Sequence, residues 1–128
     1  MSTCQNMGDY LLVEVSEAYS LKSIIATIHE VSDHCQKDNL NKVLIDIRKM
    51  TGSPNIFDRY RIGIEIVKIW GPRIRTAIIT KPEITNRMTE NTAVNRGAKL
   101  MVTFDVEAAM NWLGIESYQE KSGAKFHA

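Results

Sequence analysis

Short apolar runs alternate with longer amphipathic segments along the chain. The runs cover residues 10–15, 42–47, 74–80 and 100–104. Because roughly 20–30 residues separate successive runs, the strands that they predict cannot pair through tight hairpins and must be joined by helical crossovers. The pattern therefore predicts an α/β fold, with four β-α units around a mainly parallel sheet of four or five strands.

The segments between the runs carry helical signals. Four helices are predicted, over residues 20–38, 55–70, 84–96 and 106–113. Ser20, Ser53 and Asp105 are placed to cap the first, second and fourth helices, and Pro54 suits the first helical position. Residues 1–8 and 115–128 lack periodicity, so we expect flexible ends on a single domain that spans residues 1–128.

Composition and charge narrow the possible partners. The 16 basic and 15 acidic side chains leave a net charge of +1, too small to attract nucleic acid. The chain lacks both a signal-peptide pattern and a run of 18 apolar residues, so a cytoplasmic protein without a membrane span is expected. Cys4 and Cys35 are not spaced as metal ligands. We therefore predict free thiols, no metal and no cofactor.

Three parts of the chain are similar to the SpoIIAA-like, or STAS-like, family of small α/β proteins. They are KVLIDIR at residues 42–48 followed by Thr51-Gly52, Asn95-Arg96-Gly97 before the fourth strand, and FDVEAAMNWL at residues 104–113. The resemblance covers residues 10–113 and implies one SpoIIAA-like domain. Such domains are related in fold to anti-sigma-factor antagonists and, more distantly, to CRAL-TRIO lipid-binding domains. The resemblance implies a regulatory or interaction role.

The loop after the second strand bears on that role. Anti-sigma-factor antagonists present a phosphorylatable serine there, within an Asp-Ser-(Ser/Thr)-Gly stretch. This chain has KMTGSPN at residues 49–55, so Thr51 and Ser53 lie near that place but the Asp-Ser pair is missing. Ser53 is either a phosphate acceptor or a helix cap, and its position favours the cap.

Polar residues are predicted to gather at the carboxyl edge of the sheet. Ligands of parallel sheets bind outside this edge, which makes Asp46, Arg48, Thr51 and Ser53 candidates for a ligand-binding or phosphorylated loop. The alternative for Asp46 is an ion pair with Arg48. A phospho-receiver domain does not fit, because it needs a second acidic residue after the first strand and a fifth parallel strand.

Catalytic motifs are missing from the sequence. His29 and His34 are five residues apart on one helix and do not share a face at ligand spacing. The chain contains no nucleophile elbow, zinc-protease motif or nucleotide-binding glycine loop. We therefore predict that the protein is not an enzyme.

The second helix carries two apolar stripes. The first, expected to face the sheet, consists of Ile56, Phe57, Tyr60, Ile64 and Val67. The second, expected to lie outside, consists of Ile62, Ile66 and Ile69. An outer stripe predicts an interaction surface, most simply for a homodimer. Cover by a chain end and a lipid-facing lid are the alternatives.

Two functions follow from these patterns. The first is a non-enzymatic regulatory or protein-interaction domain that acts through the second helix. The alternative is a carrier that holds a small apolar or anionic ligand, such as a lipid, in a pocket between the second helix and the sheet. An apolar cavity beneath that helix would favour the carrier.

Overall fold

A single five-stranded sheet organises the chain. The computed structural model describes residues 2–82, 88–119 and 125–127. The strands lie in the order β1 (Ser2–Asn6), β2 (Leu11–Val15), β3 (Lys42–Asp46), β4 (Arg75–Ile79) and β5 (Lys99–Thr103). Strands β2 to β5 are parallel, and β1 pairs antiparallel with β2 at the edge. The predicted α/β fold with a mainly parallel sheet is confirmed.

The helices that connect the strands are α1 (Leu21–Asp38), α2 (Ile56–Trp70), α3 (Met88–Asn95) and α4 (Val106–Leu113). As predicted, Ser20 caps α1 and Asp105 caps α4. The predicted cap of the second helix was wrong. Asn55 caps α2 instead of Ser53, because it directly precedes the first helical residue and its Oδ1 accepts a 2.8 Å hydrogen bond from the Asp58 N–H. The predicted start of the third helix, residues 84–87, lies outside the described residues.

Two apolar cores lie on opposite faces of the sheet. Alternate strand residues, among them Val13, Val43 and Ile45, pack with residues of α1, α2 and α3 on one face. Their neighbours, among them Leu12 and Leu44, pack with α4 on the other face. The near-continuous apolar runs of the inner strands follow from this cover on both sides.

Both chain ends contain regular structure that their polar sequences did not reveal. Residues 2–6 form the edge strand β1, although residues 1–8 were expected to be a flexible end. After α4, β6 (Ser117–Gln119) and β7 (Lys125–His127) pair as an antiparallel hairpin within the predicted flexible end at residues 115–128. An edge strand and a short hairpin need few apolar residues, so neither gives the alternation by which strands are recognised.

Candidate functional site: an apolar pocket beneath α2

A partly open pocket with a cavity volume of about 110 Å³ lies between α2 and the sheet. Strand residues Val15, Ile45, Ile78 and Val102 form its floor. The remaining lining residues come from α1, α2, α3 and the loops at the carboxyl edge of the sheet: Tyr19, Ile24, Thr27, Ile28, Ile47, Met50, Ser53, Pro54, Arg59, Ile62, Ile66, Trp70, Thr80, Thr89 and Glu90. The wall is predominantly apolar, as is typical of small-molecule sites.

The orientation of α2 places two of its isoleucines inside this pocket. Ile62 is 7% exposed and Ile66 is 1% exposed, and both line the cavity together with Trp70. Ile69 is partly buried and packs against the same core. The prediction that these three isoleucines form an outer surface was therefore wrong. Of the stripe expected to face the sheet, Val67 packs partly against this core, whereas Ile56, Phe57 and Tyr60 are exposed.

Gly63 identifies the face of α2 that is buried. Gly63 is buried next to Ile62, and a Cβ atom built on it would lie 2.8 Å from the Cβ of Thr92 in α3. Glycine inside a helix is unfavourable unless another element approaches closely. Gly63 was thus the sequence signal for the face of α2 that packs inward, and periodicity alone did not distinguish the two stripes.

The pocket opens near the start of α2. Ser53 is the exposed member among the lining residues, which places the opening at the loop between β3 and α2. Tyr19 Oη donates a 2.9 Å hydrogen bond to the Asp58 carboxylate, and the Arg59 Nε donates to the Pro54 carbonyl across 3.0 Å. Burial and the hydrogen bond to Asp58 raise the pKa of Tyr19 to about 12. The contacts fix the rim of the pocket in place.

Thr80 carries an unsatisfied hydroxyl beside the pocket. It follows β4, lines the cavity and is 3% exposed. Its buried Oγ1 has no hydrogen-bond partner among the described residues. A buried hydroxyl without a partner carries a desolvation cost of about 1–3 kcal/mol, and this oxygen is itself buried rather than open to the cavity.

The four residues predicted at the carboxyl edge of the sheet do not form one common site. Arg48 binds Asp46 through both carboxylate oxygens, with Nε–Oδ1 at 3.0 Å and Nη2–Oδ2 at 2.7 Å, as the ion-pair alternative expected. The Thr51 carbonyl accepts a 2.8 Å hydrogen bond from the Tyr19 N–H, and its side chain is exposed. Of the four predicted residues, Ser53 alone is in the pocket lining.

The first turns of α2 expose large apolar side chains. Phe57 is 77% exposed, and Ile56 and Tyr60 are also exposed. The Arg96 guanidinium lies over the Tyr60 ring, 5.5 Å from its centroid. We call Ile56, Phe57 and Tyr60 the α2 outer face. They belong to the stripe that was expected to contact the sheet. The helix therefore has one face in the pocket and another in solvent.

Comparison with one solved structure supports the fold, and a second solved structure was also found to be similar. An anti-sigma factor antagonist from Mycobacterium paratuberculosis superposes with a TM-score of 0.60 and 12% identity, over 89% of this chain and 93% of that one. An uncharacterized protein of the DUF3478 family from Shewanella loihica PV-4, with a SpoIIAA-like fold, gives a TM-score of 0.47 and 17% identity, over 88% and 92%. The resemblance seen in the sequence is confirmed at the level of a SpoIIAA-like fold.

Sequence comparisons add nothing to this picture. No protein-family model matches the chain, and no curated protein matches its sequence. None of the helices within the described ranges is long and apolar enough to cross a membrane.

Proposed function

We propose that this protein is a non-enzymatic binding domain that holds a small apolar molecule in the pocket beneath α2. The observation that carries the proposal is the pocket itself, with aliphatic side chains from the sheet, α1 and α2 around a cavity of about 110 Å³. A well-packed interior has few voids larger than a water molecule, so a cavity of this size is a departure that calls for an occupant.

The size and polarity of the pocket define the class of ligand. An apolar protein cavity of about 150 Å³ holds benzene, so this pocket suits a molecule of similar or slightly smaller size, or one end of a longer hydrocarbon chain. The exposed Ser53 hydroxyl offers one hydrogen bond at the opening. The expected ligand is uncharged and mainly hydrocarbon, with a single hydroxyl or carbonyl group.

Trp70 provides a direct test, because it lines the pocket. In a Trp112→Phe background Trp70 is the remaining tryptophan, and its emission reports on the pocket alone. Titration with 6-bromohexan-1-ol, whose bromine quenches tryptophan by contact, is expected to quench Trp70 saturably. 2-Bromoethanol carries the same bromine on a shorter chain. It should quench Trp70 far less, because it buries less hydrocarbon.

Two further variants and one control locate the binding. Val102→Phe fills the floor of the pocket and Ser53→Phe blocks its opening, so each should weaken saturable quenching by at least tenfold. Thr51→Phe, an exposed position outside the lining, should leave it unchanged. Quenching that rises linearly without saturation, or that is equally strong in all variants, contradicts the proposal.

A second candidate function is contact with a protein partner, or with another copy of the chain, through the α2 outer face. Its support is the exposure of Ile56, Phe57 and Tyr60 on the opposite side of the helix that covers the pocket. The similar solved structure is an anti-sigma factor antagonist by name, which makes a regulatory protein partner the natural expectation. Thr51 and Ser53 lie next to this face and are exposed, so a phosphate on either would alter it.

A further inference from the structure

Three side chains with metal-binding atoms converge where the edge strand meets the first helix. Cys4 lies in the middle of β1, and Glu30 and His34 lie one turn apart on α1. The Cys4 sulfur, a carboxylate oxygen of Glu30 and a ring nitrogen of His34 all lie within 4.8 Å of one another. This cluster is separate from the residues that line the pocket.

The backbone of both elements presents these groups to each other. Residues four apart on a helix share a face, so Glu30 and His34 project from α1 together. Ser2 and Cys4 are two apart on a strand and share the face of β1 toward α1. Ser2 Oγ donates to Glu30 Oε1 across 3.3 Å and Cys4 Sγ donates to the same oxygen across 3.7 Å. Glu30 is therefore already held in position between them.

We propose that Cys4, Glu30 and His34 form a binding site for a divalent transition metal of the zinc class. Thiolate, imidazole and carboxylate are the three ligand types that zinc takes from proteins. Magnesium and calcium are disfavoured because they require oxygen ligands, and two of these three donors are sulfur and nitrogen. Three ligands leave the fourth tetrahedral position for water or for a group from a partner.

The distances need only a small closure. In a tetrahedral zinc site the donor atoms lie roughly 3.3–3.6 Å apart, as zinc–donor bonds of about 2.0–2.3 Å require. Glu30 is exposed, and Cys4 and His34 are partly buried, so their side chains have room to draw together around an ion.

Metal binding at this cluster is coupled to the loss of the thiol proton. When the sulfur–metal bond forms, the proton of Cys4 Sγ leaves to solvent, and the cation offsets the negative charges of the thiolate and Glu30. Binding should therefore release one proton and strengthen as the pH rises.

The site would tie the N-terminal strand to the body of the domain. Strand β1 is polar and contributes few apolar side chains to the core, with Cys4 as the one that packs partly against it. A metal bridge between Cys4 and α1 supplies the attachment that apolar burial does not. Metal binding would then protect β1 from local opening.

Cobalt substitution tests the site in the full chain without any affinity tag. Co²⁺ added to the reduced protein should bind at one equivalent and give a thiolate-to-cobalt charge-transfer band with strong visible bands of tetrahedral geometry. Addition of Zn²⁺ should abolish the spectrum. Cys4→Ser should remove the charge-transfer band, and Glu30→Gln and His34→Gln should each weaken binding by at least about tenfold.

Matched controls separate this site from adventitious binding. Cys35→Ala and His29→Gln remove the other cysteine and the neighbouring histidine on α1, and both should keep the wild-type spectrum and affinity. Circular dichroism verifies that each variant is folded. A wild-type protein without the charge-transfer band overturns the proposal, as does a band that survives Cys4→Ser or disappears in Cys35→Ala.

Discussion

The indole Nε1 of Trp70 donates a 2.9 Å hydrogen bond to the backbone carbonyl of Ile28, which joins the last residue of α2 to the middle of α1. Both residues line the pocket, and the bond is buried. Two of the helices that cover this face of the sheet are thus fixed to each other beside the cavity. This contact keeps α2 at a set distance from the strands below it.

Replacement of Trp70 by phenylalanine should destabilise the protein by about 1–3 kcal/mol. The change removes one buried hydrogen bond and part of a fully buried ring. Urea unfolding measures the free-energy difference. The enlarged pocket should also accept longer alcohols than the wild type does, and unchanged ligand size would argue that Trp70 does not bound the cavity.

Gly63→Ala should destabilise the protein although alanine is the better helix former. The new methyl group would meet the Thr92 side chain at 2.8 Å and the Thr89 carbonyl oxygen at 2.9 Å, so α3 would have to move away from α2. We expect a net loss of about 1–2 kcal/mol, as overpacking outweighs the gain in helix propensity.

Lys68→Ala is the matched control for this substitution, because Lys68 is exposed on the same helix. Its effect should stay within about 0.5 kcal/mol. A Gly63→Ala protein that is more stable than wild type by thermal denaturation would show that α3 does not pack closely on α2.

Two glutamate substitutions on α2 should have opposite outcomes. Ile66 is 1% exposed, so Ile66→Glu buries a carboxylate in an apolar pocket and should cost more than about 4 kcal/mol. Phe57 is 77% exposed, so Phe57→Glu should leave the fold intact. Thermal unfolding of the two variants measures the difference.

The same pair tests the second candidate function. If the wild type self-associates through the α2 outer face, Phe57→Glu should shift sedimentation toward the monomer. A stable Ile66→Glu protein would mean that the orientation of α2 described above is wrong.

Burial of the Tyr19 hydroxyl and its hydrogen bond to Asp58 should give the protein a characteristic alkaline stability profile. The pKa of Tyr19 is raised from 10.0 to about 12, so the folded state holds the phenol proton more tightly than the unfolded state does. The resulting stability is fully present below pH 10 and is lost as the pH rises through about 12.

Tyr19→Phe isolates this contribution. Burial also raises the pKa of Cys4 and that of Cys35. Ionisation of these thiols therefore lowers the free energy of unfolding of the wild type and of Tyr19→Phe alike as the pH rises. The stability difference between wild type and Tyr19→Phe should therefore be constant at neutral pH and shrink between pH 10 and 12. A difference independent of pH in urea titrations would contradict the raised pKa of Tyr19.

The fold was predictable because its signals are local. Each parallel strand is a short, almost wholly apolar run that is covered on both faces, and Ser20 and Asp105 cap helices by direct contact with the next turn. Strand β1 escaped prediction because only alternate residues of an edge strand face the domain, and here these include Ser2 and Cys4.

The site was less predictable because it depends on contacts between distant elements. Both stripes of α2 have helical spacing, so periodicity could not decide which one is buried, whereas the Gly63–Thr92 contact with α3 decides it in the structure. Cys4 and His34 lie 30 residues apart in the sequence, so their spacing gave no indication of a shared cluster.

The occupancy of the pocket is tested most directly by methyl NMR of isoleucine-labelled protein titrated with 1-hexanol. Saturable shifts are predicted for the isoleucines that line the pocket: Ile24, Ile28, Ile45, Ile47, Ile62, Ile66 and Ile78. Much smaller changes are expected at Ile56 in the α2 outer face and at Ile79 on the opposite face of the sheet. Shifts confined to Ile56, or spread evenly over all isoleucines without saturation, would contradict a binding site beneath α2.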